Sequence, residues 1–102
     1  MKKLIESNYK SIVDRGLITP STNCLDFLDK LHEEVKELEL GVCIDFERDL
    51  ISDYTKQELA DVIMVCLNFA NHFNIDIEQE ILNKIEINKK RANDKGTTNN
   101  GK

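Results

Sequence analysis

The sequence predicts an all-α fold: a four-helix bundle-like core in one domain over residues 1 to 92, completed by homodimerisation. Three observations point there. One Pro and four Gly in 102 residues leave few breaks, which favours long helices. Four segments repeat apolar residues at helical spacing. No segment alternates strongly enough to require a sheet, and no internal repeat is present. A chain this short buries only a modest core, which favours pairing with a second copy.

Leu4, Ile5, Asn8, Tyr9, Ile12 and Val13 recur on one face of a first helix, and Arg15-Gly16 gives its stop. LITPSTN is a connection in which Ser21 or Thr22 can cap the next helix. From about residue 22 to 40, Leu28, Leu31, Val35 and Leu38 form one apolar stripe, and Gly41 ends the helix. GVCIDFERDLISDY reads as a loop with a short helical turn. Thr55 opens T-K-Q-E, a capping-box pattern, for a third helix over about 56 to 73. Its apolar residues cover nearly the whole circumference, so it should be the most buried helix, with Cys66 as a small core residue. Asn74 lies in the next connection. Asp76 caps a fourth helix over about 77 to 92, with Ile77, Ile81 and Ile85 as its core stripe. The tail, NDKGTTNNGK from residue 93 to 102, is polar and expected to be disordered.

Composition excludes some partners. A net charge of −5 argues against a nucleic-acid backbone. No apolar run approaches the roughly 18 residues of a membrane span. The start, MKKLIESNYK, has positive charge but no apolar core for a secretion signal. Cys24, Cys43 and Cys66 form no C-x-x-C, which suggests free thiols in a reducing cytoplasm. His32 and His72 are isolated and carry no functional assignment.

The chemistry lies in the acids. The third helix opens with Glu58 and Asp61, three apart on one face, and then turns almost wholly apolar. Ionised carboxylates are rarely buried without a partner or a metal. The second helix carries LHEEVKELE. At about 100° per residue, Glu34 lies at the edge of the apolar stripe, with Glu37 one turn on and further toward solvent. Glu33 points nearly opposite the core. If the two helices pack antiparallel, the two pairs converge, and converging carboxylates repel unless a cation sits among them. Mg²⁺ suits an oxygen-only donor set, whereas the scarcity of histidine and thiol argues against zinc. The plainer reading is local. Glu33, Glu34 and Glu37 can be a solvated face, with Lys30 pairing Glu34. Glu58 can be the last member of a capping box, and Asp61 can answer the helix dipole.

On the fourth helix Lys84, Asn88 and Arg91 form one stripe beside the isoleucines. Lys offers a point charge to phosphate and Arg a bidentate fork, although basic residues in a last turn also suit the helix dipole.

Taken in order, Glu33-Glu34-x-x-Glu37, Glu58-x-x-Asp61 and Lys84-x-x-x-Asn88-x-x-Arg91 resemble the motifs of the MazG-like all-α nucleoside triphosphate pyrophosphohydrolases over residues 22 to 92. The resemblance implies a four-helix core assembled as a dimer or tetramer. It also implies Mg²⁺ on the acidic motifs and cleavage of a nucleoside triphosphate to the monophosphate and pyrophosphate. Carried over residue by residue, Glu34, Glu37, Glu58 and Asp61 are the metal ligands. Glu33 is a nearby acid, a group behind the ligands or a base for water. Lys84, Asn88 and Arg91 hold the phosphates. Asn68, two turns after Asp61 on the same face, is expected to touch substrate or a ligand carboxylate, or else to bond a neighbouring helix. The chain departs from the family in two ways. It has a single short domain, unlike the duplicated members. Residues 42 to 54 match nothing in the pattern, and substrate selection is expected there. With no Trp, any base stacking falls to Tyr9, Phe27, Tyr54 or another aromatic, each more simply explained as core. Phosphoribosyl-ATP pyrophosphohydrolase, which shares fold and acidic motifs, is the nearest enzymatic alternative. A non-catalytic helical module binding nucleotide or protein is the other.

Overall fold

The computed structural model describes residues 2–94, and these are helical with no strand among them: α1 (Lys2–Asp14), α2 (Cys24–Arg48), α3 (Asp53–His72) and α4 (Ile77–Asp94). The predicted tail from residue 95 onward lies outside the described residues, while Asn93 and Asp94 belong to α4 rather than to the tail. Among the described residues no helix is long and apolar enough to cross a membrane.

α1 ends at Gly16, whose φ of 73° turns the chain back so that its N–H and that of Leu17 reach the carbonyls of Val13 and Ile12. The cap of α2 is Asn23, not Ser21 or Thr22. Its Oδ1 accepts from Leu25 N and Asp26 N at 2.9 and 3.0 Å, and Asp26 Oδ2 accepts from Asn23 N at 3.0 Å. Thr22 Oγ1 is engaged by Thr19 N within the preceding turn.

The largest correction concerns Gly41. It does not stop α2, which runs on to Arg48 and closes with Asp49 at φ 54°. Gly41 is buried where α3 crosses α2, and a Cβ there would stand 2.5 Å from Thr55 Oγ1. The glycine serves close approach of two helices, so the stretch expected to be a loop is mostly helix. A tight turn then leads to Ser52, the true cap of α3, whose Oγ accepts from Thr55 N at 3.2 Å. Thr55 is not the cap; it is buried in the first turn. Asp45, 2 % exposed, fixes this corner by accepting from Ser52 N at 2.9 Å and Ser52 Oγ at 3.1 Å. The Thr55 hydroxyl, then these Ser52 donors, hold the Asp45 carboxyl below the usual carboxylate range.

α3 carries more buried positions than any other helix: Thr55, Val65, Leu67, Asn68 and Ala70. Val65, Leu67 and Ala70 make the apolar core with Ile18 and Phe27. His72 joins three segments. Its Nε2 donates to the Thr22 carbonyl at 2.9 Å, which leaves Nδ1 to accept from Tyr9 OH at 2.7 Å, and its ring packs on Phe27 and Phe73.

α2 and α3 form a pair, with α1 laid along α3. α4 starts as predicted, with Asp76 Oδ1 accepting from Gln79 N at 3.1 Å. It then leaves the body. Ile77 is half-buried, but Ile81 and Ile85 are 48 % and 44 % exposed, so they are not core within one chain. The radius of gyration, 16.9 Å, exceeds the roughly 13 Å of a compact chain of this length. Cys66 is exposed as well, on a flank of α3 that also presents Leu59 and Ile63.

Candidate metal centre

The close α2–α3 contact at Gly41 brings the two acidic motifs together. Glu34 on α2 and Glu58 and Asp61 on α3 each offer a carboxylate oxygen, and these oxygens lie within 4.8 Å of one another. All three residues are half-buried. Glu58 titrates above the usual carboxylate range, first because burial penalises its charge and then because of the negative charges of Asp61, Glu34 and Glu37. Lys30 Nζ stands 3.1 Å from Glu34 Oε2 and 3.7 Å from Glu33 Oε1, and the Glu34 contact raises its pKa.

Glu37 is not one of the converging three. Its Oε1 accepts a 2.9 Å hydrogen bond from Tyr54 OH, yet its charge still acts on Glu58 from beside the trio. Glu33 lies on the solvent side, its side chain 71 % exposed. Asn68 is buried, and its Oδ1 accepts from Asn8 Nδ2 at 2.7 Å, so its acceptor ties α3 to α1. Lys84, Asn88 and Arg91 are exposed on the projecting α4 and are not brought to the carboxylates within one chain. A cleft of about 280 Å³ adjoins the site at Lys30, walled by Ile12, Ile18, Phe27, Val65 and Asn68. Gly41, read in the sequence as a helix stop, and Tyr54, read as a core aromatic, shape this corner instead: Tyr54 is 43 % exposed and lies one turn before Glu58 on the same helix face, because α3 begins at Asp53.

The donor set fits a hard divalent cation. Three carboxylates and no imidazole or thiol suit Mg²⁺ or Mn²⁺ and not Zn²⁺. Oxygens shared by one Mg²⁺ at about 2.1 Å span at most about 4.2 Å, comparable to the 4.8 Å within which these oxygens lie. Compared with protein-family models, curated proteins and solved structures, the chain matches none.

Proposed function

We propose that this chain is a Mg²⁺-dependent nucleoside triphosphate pyrophosphohydrolase, releasing pyrophosphate from an NTP or dNTP and leaving the monophosphate. What carries the reading is the convergence of Glu34, Glu58 and Asp61 from two helices onto one point. The plainer local readings of each motif give no reason for that meeting, and the order of the motifs supports it independently.

In this reading Glu34, Glu58 and Asp61 hold the cation, with Glu37 as the fourth ligand. A bound Mg²⁺ would polarise phosphoryl oxygens, acidify a water and neutralise the leaving pyrophosphate. Glu33, exposed beside Lys30, would orient that water or accept its proton. Lys84, Asn88 and Arg91 bind phosphates. Because α4 stands away from the trio, their contribution requires either closure of α4 or a second copy. The exposed apolar side chains of α4 (Ile81, Leu82, Ile85) and α3 (Leu59, Ile63) support a homodimer or larger assembly that covers them. The three free cysteines support a reducing, cytoplasmic setting.

Pyrophosphate release from a nucleotide panel, with and without Mg²⁺, tests the proposal. Turnover confined to phosphoribosyl-ATP would assign the chain to that related activity. No turnover of any nucleotide would leave a helical binding module.

A further inference from the structure

Glu37 lies beside the trio, and its Oε1 accepts a hydrogen bond from the Tyr54 hydroxyl at 2.9 Å. The phenol reaches across from α3, where it sits one turn before Glu58 on the same face. It is held there by its surroundings. On either side of it, Ser52 and Thr55 are tied into the buried Asp45 corner. Its ring lies over Gly41, one turn beyond Glu37 on α2. A Cβ on Gly41 would come within 3.1 Å of Tyr54 Cδ2. The missing side chain lets the ring rest on the α2 backbone while the hydroxyl points back to Glu37.

A carboxylate has two oxygens, and this bond uses one. Glu37 Oε2 has no hydrogen-bond partner among the described residues. A neutral donor behind a carboxylate narrows its rotamers without competing for the remaining oxygen, as donors behind metal ligands commonly do.

We propose that Tyr54 is a positioning residue, whose hydroxyl fixes Glu37 by Oε1 so that Oε2 becomes the fourth oxygen donor to the divalent cation held by Glu34, Glu58 and Asp61. This rests on the metal-site reading above. It differs in sign from a phenol that merely keeps Glu37 away from the cation.

Calorimetric titration with Mg²⁺ alone, without nucleotide, separates the cases. The proteins are the wild type, Tyr54→Phe, Glu37→Gln, the double variant and Asp61→Asn. Tyr54→Phe keeps the ring over Gly41, so its metal-free melt should match the wild type. If it melts lower, titration at a temperature where every variant is folded gives the same comparison. Tyr54→Phe and Glu37→Gln should each weaken Mg²⁺ binding about tenfold or more. The double variant should bind no more weakly than Glu37→Gln, because the two residues act as one unit. Tighter or unchanged binding in Tyr54→Phe, or losses that add, would overturn the proposal. Lost binding in Asp61→Asn beside unchanged binding in Tyr54→Phe overturns it alone. Unchanged binding in Asp61→Asn overturns the metal site as well.

Discussion

Lys30 Nζ stands 3.1 Å from Glu34 Oε2, one turn earlier on α2, and brings a positive charge to the edge of the carboxylate trio. A divalent cation on the trio and the ammonium on Lys30 compete for the same negative charge. Lys30→Met should therefore tighten Mg²⁺ binding several-fold in low salt, and the gain should shrink as salt is added. Its effect on metal-free stability should stay within about 0.5 kcal/mol, since the ammonium is well exposed. Titration at two ionic strengths checks this, and weaker binding would show that Lys30 supports the site in another way.

Glu58 gives the metal-free protein a pH dependence of definite sign. Its folded pKa is raised above the ordinary value of 4.5, chiefly by burial and then by the charges of Asp61, Glu34 and Glu37. The folded chain thus keeps this proton to higher pH than the unfolded chain. The stability it contributes is full below pH 4.5 and is lost as pH rises through the raised folded value. Asp45 has the opposite shift, but its contribution is lost only as pH falls below 3.8. Melts in chelator should show wild type losing stability relative to Glu58→Gln as pH rises from weakly acid to neutral. Mg²⁺ should restore the wild type at neutral pH and weaken as protons compete at acid pH.

Gly41→Ala probes the crossing that creates the site. The added Cβ would sit 2.5 Å from the buried Thr55 Oγ1, so the helices must shift. Overpacking costs about 1–3 kcal/mol, offset in part by the roughly 1 kcal/mol that Ala gains over Gly in a helix. A net loss on the order of 1 kcal/mol in urea unfolding is expected, with weaker Mg²⁺ binding. A more stable variant would mean the crossing is looser than it stands here.

The helices were legible in the sequence because their signals are local. The apolar stripes gave all four, and Asp76 gave the start of α4. Where the outcome depended on a distant neighbour, local signals misled. Gly41 looked like a stop because glycine ends many helices, but its reason is Thr55 on the facing helix. Thr55 looked like a cap because T-K-Q-E fits the pattern, yet Ser52 wins once Asp45 holds it. Glu34, Glu37, Glu58 and Asp61 were read as two pairs able to converge because helical spacing puts each pair on one face; the packing of α2 on α3 brings Glu34, Glu58 and Asp61 together and leaves Glu37 to Tyr54. The place of Tyr54 was not legible, because its bond to Glu37 exists only through the tertiary contact. The exposure of Ile81 and Ile85 follows from α4 lying off the body, which no helical period encodes.

Arg91 and the apolar face of α4 make a linked prediction. If that face meets a second copy, light scattering at about tens of micromolar should give a dimer or larger species, an order of magnitude set by ordinary association energies. Ile81→Lys should shift it toward monomer. Arg91→Ala should leave assembly and melting unchanged, because the residue is exposed at a helix end. It should lower kcat/KM by about thirtyfold, the worth of a charge-assisted phosphate contact of about 2 kcal/mol. Arg91→Lys should recover only part of that, since it keeps the charge without the fork. Normal turnover in Arg91→Ala would return this stripe to a solvated helix face.

Asp61→Asn tests the central claim most directly, because it keeps the side chain's size and removes only its charge. Pyrophosphate release from a nucleotide panel, with and without Mg²⁺, should be measured for wild type and variant beside thermal melts of both. The account predicts Mg²⁺-dependent release by the wild type and none by Asp61→Asn. The variant should melt at or above the wild-type temperature without metal, because repulsion within the trio is relieved, and should gain no stability from added Mg²⁺. Equal Mg²⁺-dependent release by the two proteins, or a wild type that neither turns over any nucleotide nor responds to Mg²⁺, would contradict it.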